Sequence, residues 1–292
     1  MKPPPFEYYD PTTVEETLKL LARYGEDARV LAGGQSLIPL LNFRLTAPKV
    51  LVDLNRVREL SYIREEGGWL RVGAMARQRE VEFSALIGER LPLMVEATHY
   101  IGHLPTRTRG TVGGSIAHAD PSAEYPALVC ALEGQMVVRG PGGERVIGAQ
   151  EFFQGLLGTA LKPGELLVEV RLPATPARSG WAFEEFARRH GDFAIAGVGA
   201  QLTLGADGKC AIARAAAFGV GPTPVKLRAV EQALKGCALS QEQIDAASAL
   251  AGELVNPTSD LHASAAYRRH LTQVLVKRAL ARAAKRARQT LH

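Results

Sequence analysis

Residues 28–39 read ARVLAGGQSLIP: an apolar run from Ala28 to Ala32 stops at Gly33-Gly34, and apolar positions resume at Leu37 and Ile38 behind Ser36. A short apolar run closed by glycines predicts a buried strand ending in a tight turn. Ser36 to Leu45 suits a short helix, because Pro39 falls in its first turn, where proline is tolerated. Val50 to Leu54 is a second short apolar run, so the segment reads as strand, glycine turn, helix, strand. Such a unit places its turn at the carboxyl end of the first strand, where ligands commonly bind. Glycines let the backbone approach a phosphate and adopt positive φ, and free N–H groups at a helix start favour anions. The chemistry suggested for Ala32, Gly33, Gly34, Gln35 and Ser36 is pyrophosphate binding.

The same device returns about 80 residues later as Thr111-Val112-Gly113-Gly114-Ser115, with Arg109 and Gly110 before it. Arg109 supplies charge, and Thr111 and Ser115 supply hydroxyls. Competing nucleotide motifs are missing. There is no G-x-x-x-x-G-K-[ST], and Gly197-Val198-Gly199 lacks a third glycine at dinucleotide-fold spacing. Gly34-Gln35-Ser36-Leu37-Ile38 lacks the final glycine of a nucleophile elbow.

Around these loops the chain mixes helix and strand patterns. Thr13 with Glu16 forms a capping-box pattern ahead of Val14, Leu18 and Leu21, and Gly25 follows, so a helix is expected over about 13–24. Tyr62 to Arg64 and Trp69 to Val72 flank Gly67-Gly68 as a hairpin. Val81 to Ile87 and Leu93 to Ile101 read as helices. Leu128 to Arg139 and Glu144 to Ile147 read as strands about Gly140-Pro141-Gly142-Gly143, and Leu166 to Leu172 as another closed by Pro173. Pro173, Pro176 and Gly180 mark a boundary. Beyond it, strands are expected near 181–187, 195–204 and 211–220, then helices near 224–235, 240–253 and 263–288.

The chain has 292 residues, 46% hydrophobic and 22% charged, which suits a globular protein of two or three subdomains. The N-terminus carries prolines and polar groups where a secretory signal has an apolar stretch, and no run reaches the roughly 18 apolar residues of a membrane span. A cytoplasmic location is therefore expected. Cys130, Cys210 and Cys237 form no C-x-x-C pair, which argues against a zinc site, an iron–sulfur cluster or a disulfide framework, and they read as small buried residues. His99 and His103 are four apart, but no acidic third ligand accompanies them, so no metal is expected. The net charge of +5 resides in residues 261–292, which hold eight Lys/Arg and no acid. With Tyr267, Leu271, Val274, Leu275 and Leu280 at helical spacing, that tail reads as an amphipathic helix with a solvated basic face, and nucleic acid is not expected.

LAGGQSLIP (31–39) and RGTVGGSIAHADPSAE (109–124), joined by RRHGDF (188–193) and SDLHASAAYRRHL (259–271), resemble the FAD-binding, or medium, subunit of the xanthine dehydrogenase and carbon monoxide dehydrogenase family of molybdenum hydroxylases. The four blocks run in the family's order across nearly the whole chain. The resemblance implies an α+β fold: a two-lobed FAD-binding domain of the vanillyl-alcohol-oxidase and peroxidase type over 1–176, with lobes of about 1–58 and 59–176, and a smaller α+β domain over 177–292.

The same resemblance implies that Ala32 to Leu37 and Arg109 to Ser115 clasp the FAD pyrophosphate, and that Glu124 hydrogen-bonds FAD hydroxyls. Ile101, Gly102 and His118 belong to the flavin loops in this family. Leu167 and Glu184 match positions near the flavin or adenine, with Glu184 standing where relatives often carry Lys. Asp192 and Phe193 lie in the block that nears the isoalloxazine, where Phe193 can only shield. His103 to Thr108 departs from the usual His-Pro-Gln-Ile-Arg-Asn, which bears on the loop over the ring.

Implied with it is a heteromeric enzyme, a dimer of heterotrimers. A large subunit carries molybdopterin, a small subunit carries two iron–sulfur clusters, and this chain relays their electrons through FAD to an external acceptor, with no catalytic acid, base or nucleophile of its own. Two other readings are a self-sufficient flavin oxidase, for which the sequence nominates no base, and a scaffold subunit without cofactor, against which the intact glycine loops argue. Substrate choice is expected to lie in the molybdenum subunit, and NAD, a quinone, a carrier protein and oxygen are all open as acceptors.

Overall fold

Thr13 ends an extended segment and caps the first helix, Val14–Tyr24: its hydroxyl accepts from Glu16 N at 3.1 Å, and Gly25 closes the helix at φ 51°. The Glu16 carboxylate reaches back one residue further than a capping box requires, accepting from Thr12 N at 2.7 Å. The computed structural model that describes residues 2–290 builds three principal sheets on such local signals.

The first sheet is parallel, with β1 (Glu7–Tyr9), β2 (Ala28–Leu31) and β3 (Val50–Asp53) in the order β1-β3-β2. Its central strand is buried at all four positions, as expected for a parallel strand covered on both faces. The helix Leu37–Asn42 crosses between β2 and β3. β1 escaped the sequence reading, because three prolines precede an edge strand of only three residues.

The second sheet is antiparallel: β4 (Ile63–Glu66), β5 (Trp69–Gly73), β6 (Gln135–Gly140), β7 (Gly143–Gly148) and β10 (Leu166–Pro173), in the order β4-β5-β10-β6-β7. A small hairpin of β8 (Phe153–Gly155) and β9 (Gly158–Thr159) precedes β10. Residues 128–134 were expected as strand and are not. Glu124–Ala131 is a helix buried at all eight positions. With every face covered it shows no amphipathic stripe, so its apolar run carries no helical period to tell it from a buried strand.

The third sheet joins β11 (Ser179–Phe186), β12 (Ala196–Leu204), β13 (Cys210–Phe218) and the short β14 (Val225–Lys226), antiparallel and in that order. All nine residues of β12 are buried, because the helix Ala265–Gln289 packs against it and the helix Glu124–Ala131 packs against it and β13. Gly180 lets the long helix approach: a Cβ there would fall 2.9 Å from Arg286 C and nearer still to Ala287 N. No helix among the described residues is long and apolar enough to cross a membrane.

The basic tail is only partly the solvated face expected of it: Arg269, Lys277, Arg278, Lys285 and Arg288 are exposed, whereas Arg268, Arg282 and Arg286 are drawn into the protein. Arg268 is buried, donating to Gly219 O at 2.9 Å and pairing with Asp260 at 2.7 Å. Arg282 donates to Phe183 O at 2.7 Å and pairs with Glu184 at 2.8 Å, Arg286 donates to Glu96 at 2.6 Å, and Arg288 donates to Leu239 O at 2.8 Å. Guanidinium stems can lie along an apolar face while their heads reach carbonyl acceptors, so spacing alone does not separate docking arginines from solvated ones.

Candidate functional site

Strand β2 delivers its chain into the turn Ala32-Gly33-Gly34, where Gly34 takes φ +74°, a conformation that side chains disfavour. The first N–H after the turn to meet a carbonyl is Ile38, donating to Gly34 O at 3.0 Å. The N–H groups of Gly34, Gln35, Ser36 and Leu37 meet none among the described residues, and the Ser36 hydroxyl caps nothing. Of these, Gly34 and Gln35 line a cleft of about 360 Å³ together with Gly33, Ile38, Pro39, Asn42 and Arg109. Unpaired donors of this kind suit an anion.

The second loop works differently. Gln78 N donates to Gly110 O at 2.9 Å, Val112 N to Ala76 O at 3.0 Å and Gly113 N to Ala74 O at 2.9 Å, so its amides hold the loop to the segment after β5. Gly114 N donates to Thr111 Oγ at 3.0 Å, which caps the helix Val112–His118. What this loop can offer a ligand is hydroxyls and charge: the lone pair and proton left on Thr111 Oγ, the Ser115 hydroxyl, and Arg109.

The two loops meet. A Cβ on Gly33 would fall 2.7 Å from Gly110 Cα and nearer still to Arg109 O, and one on Gly114 would lie 3.3 Å from Ala32 Cβ and 2.6 Å from Thr111 Oγ. Each contact needs a residue without a side chain, so the glycines secure close packing of loop on loop. Gly113 serves the same end below, where a Cβ would fall 2.7 Å from Ala74 Cα.

Two residues that the sequence reading missed tie the loops. Asn55 Nδ2 donates to Ala32 O at 3.2 Å, and Asn55 Oδ1 accepts from Arg77, which also donates to Arg109 O. Asp53 orients Asn55 by accepting from its N–H at 2.8 Å and is held in turn by Tyr8 at 2.6 Å. Burial, then the nearby Arg109 guanidinium, hold Arg77 below the ordinary guanidinium range. Two cations therefore share this wall, which suits a diphosphate. Asn55 follows β3 at the carboxyl edge of the parallel sheet, a position that strand topology could have nominated. Nothing in the sequence marks Arg77.

The remaining candidates spread over a second region. Ile101 is buried, Gly102 turns at φ +48°, and Arg107 donates to the carbonyls of both, at 3.0 and 3.2 Å. The segment after β11 comes down on this turn: a Cβ on Gly191 would lie 2.9 Å from His103 Nδ1 and 3.0 Å from Gly102 O. Asp192 and Phe193 project from that segment into solvent, Phe193 at 72% exposure. His118 ends its helix half-buried. Leu167 lies in the core at 3% exposure, and Glu184 is engaged by Arg282.

Glu124 heads its helix at 9% exposure, where burial first and Asp120 second push its carboxyl up to about 7. Glu185, unmarked in the sequence, is pushed up to about 9 by burial and by Glu124, and its Oε2 meets no partner among the described residues. Two neighbouring acids in a low-dielectric setting disfavour each other's charge.

Residues 4–175 match the family model for the FAD binding domain in molybdopterin dehydrogenase, and residues 181–283 match the CO dehydrogenase flavoprotein C-terminal domain. The chain belongs to the FAD-binding medium subunits of the molybdenum hydroxylases. This medium chain is 43% identical to the 6-hydroxypseudooxynicotine dehydrogenase complex subunit alpha of Paenarthrobacter nicotinovorans, over 99% of this chain and 98% of the relative. It is 39% identical to the carbon monoxide dehydrogenase medium chain of Hydrogenophaga pseudoflava, over 96% and 97%. Among solved structures, a chain of reconstituted CO dehydrogenase from Oligotropha carboxidovorans superposes with a TM-score of 0.96 at 38% identity, covering 98% of this medium chain and all of that one. The cofactor of this medium chain is FAD, and it is the flavin subunit of a molybdenum-dependent dehydrogenase. Free amides on one loop, a second loop packed against it backbone to backbone, and two adjacent cations fit a dinucleotide's diphosphate.

Proposed function

We propose that this chain is the electron-relay subunit of a heteromeric molybdenum hydroxylase, taking electrons from iron–sulfur clusters of a small partner subunit and passing them to an external acceptor. The observation that carries the reading is the convergence of the two glycine loops on one cleft, with Gly33 against Gly110 and Gly114 against Ala32. FAD, when bound, supplies storage of two electrons and their release singly or as a pair.

The chain's own groups bind and orient. The amides of Gly34 to Leu37 receive one side of the diphosphate, Thr111 and Ser115 hydroxyls the other, and Arg109 and Arg77 offset its charge. Glu124 holds the ribityl or ribose hydroxyls, and Ile101, Gly102 and the 188–193 segment cover the ring, with Phe193 as a steric shield. Leu167 and Glu184 act from behind this wall, Glu184 through Arg282. The fold assigned is the two-lobed vanillyl-alcohol-oxidase type, with domains over 1–176 and 177–292.

The partners proposed are a small iron–sulfur subunit and a large molybdenum subunit, arranged as a dimer of heterotrimers in the cytoplasm. Relatives are subunits of caffeine, carbon monoxide and xanthine dehydrogenases and of a nicotine 6-hydroxylase, which supports placing substrate choice outside this chain. The test has two arms. The isolated chain takes up FAD, turns yellow and oxidises none of these substrate classes; co-expression with its neighbouring small and large subunits yields a complex whose flavin bleaches on substrate addition. A colourless chain, or turnover of an organic substrate by the chain alone, overturns the proposal.

A further inference from the structure

Cys210 begins β13, and Cys237 follows the helix Arg228–Leu234. Between that helix and Cys237 the chain makes a type II turn: Lys235 sits at φ −62°, ψ 126°, Gly236 takes φ +80°, and Cys237 N donates to Leu234 O at 3.0 Å. The turn presents two backbone groups to one residue of β13. Gly236 N donates to Cys210 O at 2.8 Å, and Cys210 N donates to Cys237 O at 2.8 Å. One residue facing two, with glycine at positive φ in the first position, is a G1 bulge. Cys210 and Cys237 are thus cross-strand neighbours joined by one backbone hydrogen bond, a pairing whose Cα separation in regular antiparallel strands is about 5.5 Å. In the reduced state their thiols donate to Ile212 O at 3.5 Å and Ala233 O at 3.3 Å. A disulfide bridges Cα atoms roughly 4.4–6.8 Å apart. The thiols also sense each other: burial first and Cys237 second raise Cys210 to about 11.

We infer that Cys210 and Cys237 form a dithiol modification site that closes to a disulfide when met by a small oxidised thiol. Cys237 is partly exposed and Cys210 is 1% exposed, which sets the order of events. The Cys237 thiolate attacks one sulfur of the incoming disulfide, forming a mixed disulfide and releasing one small thiol. Cys210 gives up its proton to solvent and attacks the Cys237 sulfur, releasing the second. Two protein thiols and one small disulfide become one protein disulfide and two small thiols, the electron pair passing to the small molecule. The product staples the helix Arg228–Leu234 to β13 and leaves Cys130, buried in the other core, untouched.

The test exposes the full FAD-loaded chain to oxidised glutathione, counts thiols and maps peptides without reduction. The expected result is a fall from three free thiols to one, a single Cys210–Cys237 peptide, reversal by dithiothreitol, and a thermal midpoint raised by roughly 3–10 °C. Cys237→Ser, at the partly exposed position, keeps two thiols and its unshifted midpoint. A glutathione adduct that persists on Cys237 while Cys210 stays free, or three unreacted thiols, overturns the proposal. If Cys237→Ser shows the same midpoint rise, the staple is not its cause and the proposal fails.

Discussion

Gly33 and Gly110 pack backbone against backbone, so close that a Cβ on the first would fall 2.7 Å from the second's Cα. They stand 77 positions apart in the chain, and their contact makes two glycine turns into one site. Replacing Gly33 with Ala must push the loops apart, because the opposing atoms are main chain and cannot rotate away. The expected outcome is at least a tenfold loss of FAD affinity, read as the flavin-to-protein ratio after dialysis. Gly88→Ala is the control: it sits in the helix Ala85–Arg90 with open space around it, and should retain FAD while gaining about 0.5–1 kcal/mol of stability.

Asn55 and Arg77 hold the loops together without belonging to either. Asn55→Ala removes a donor to Ala32 O and an acceptor for Arg77, while Arg77→Leu removes the link to Arg109 O and a positive charge. Each should weaken FAD binding roughly tenfold, the worth of about 1.4 kcal/mol. Titration of the apoprotein with FAD, followed by flavin fluorescence, checks this. An Arg77→Leu variant more sensitive to added salt than the parent would contradict the assigned charge role, since removing a cation must flatten the salt dependence.

Glu96, on the helix Pro92–Thr98, receives Arg282, Arg286 at 2.6 Å and Phe183 N at 3.0 Å, so one carboxylate joins that helix to β11 and the terminal helix. Glu96→Ala leaves the Phe183 amide without its side-chain acceptor and takes one acceptor from each of Arg282 and Arg286, which keep Phe183 O, Glu184 and Trp181 O, and should cost about 1–3 kcal/mol. Urea unfolding measures it. Equal stability of the variant and the parent would mean that water replaces the carboxylate at no cost.

Glu124 and Glu185 give the apoprotein a pH-dependent stability whose sign is fixed. Both carboxyls are neutral in either state below about pH 4.5, the ordinary value for the unfolded chain. As pH rises, the unfolded chain sheds these protons while the folded one keeps them, until Glu124 ionises near 7 and Glu185 near 9. Folding therefore loses ground across this window. Glu185→Gln should stabilise the apoprotein by roughly 2–4 kcal/mol at about pH 8 and leave it unchanged near pH 4.5. Thermal unfolding at the two pH values decides it, and a gain of the same size at both removes the titration as its cause.

Much of the fold was legible where the pattern has a local cause. The cap at Thr13, the glycine end of β2, the hairpin at Gly67-Gly68 and the long terminal helix all follow from neighbours in sequence. The strand expected over 128–134 failed for the reason that it was apolar throughout: complete burial erases the period that distinguishes helix from strand. The reading of the tail as a solvated basic face holds for Arg269, Lys277, Arg278 and Lys285 and fails for Arg268, Arg282 and Arg286, whose acceptors include Ile195 O, Phe183 O, Trp181 O and Glu96, each more than 70 residues away.

By itself the sequence determined two anion-ready turns, their hydroxyls and the family to which they point, because glycine's freedom and a turn's exposed amides are properties of a few adjacent residues. Only the tertiary structure decided that those turns touch, that the first supplies amides while the second uses its own to anchor itself, that Asn55 and Arg77 join them, and that Glu185 lies beside Glu124. Contacts between distant segments depend on how sheets and helices stack, and electrostatic shifts depend on what excludes water. Neither quantity is a function of local spacing.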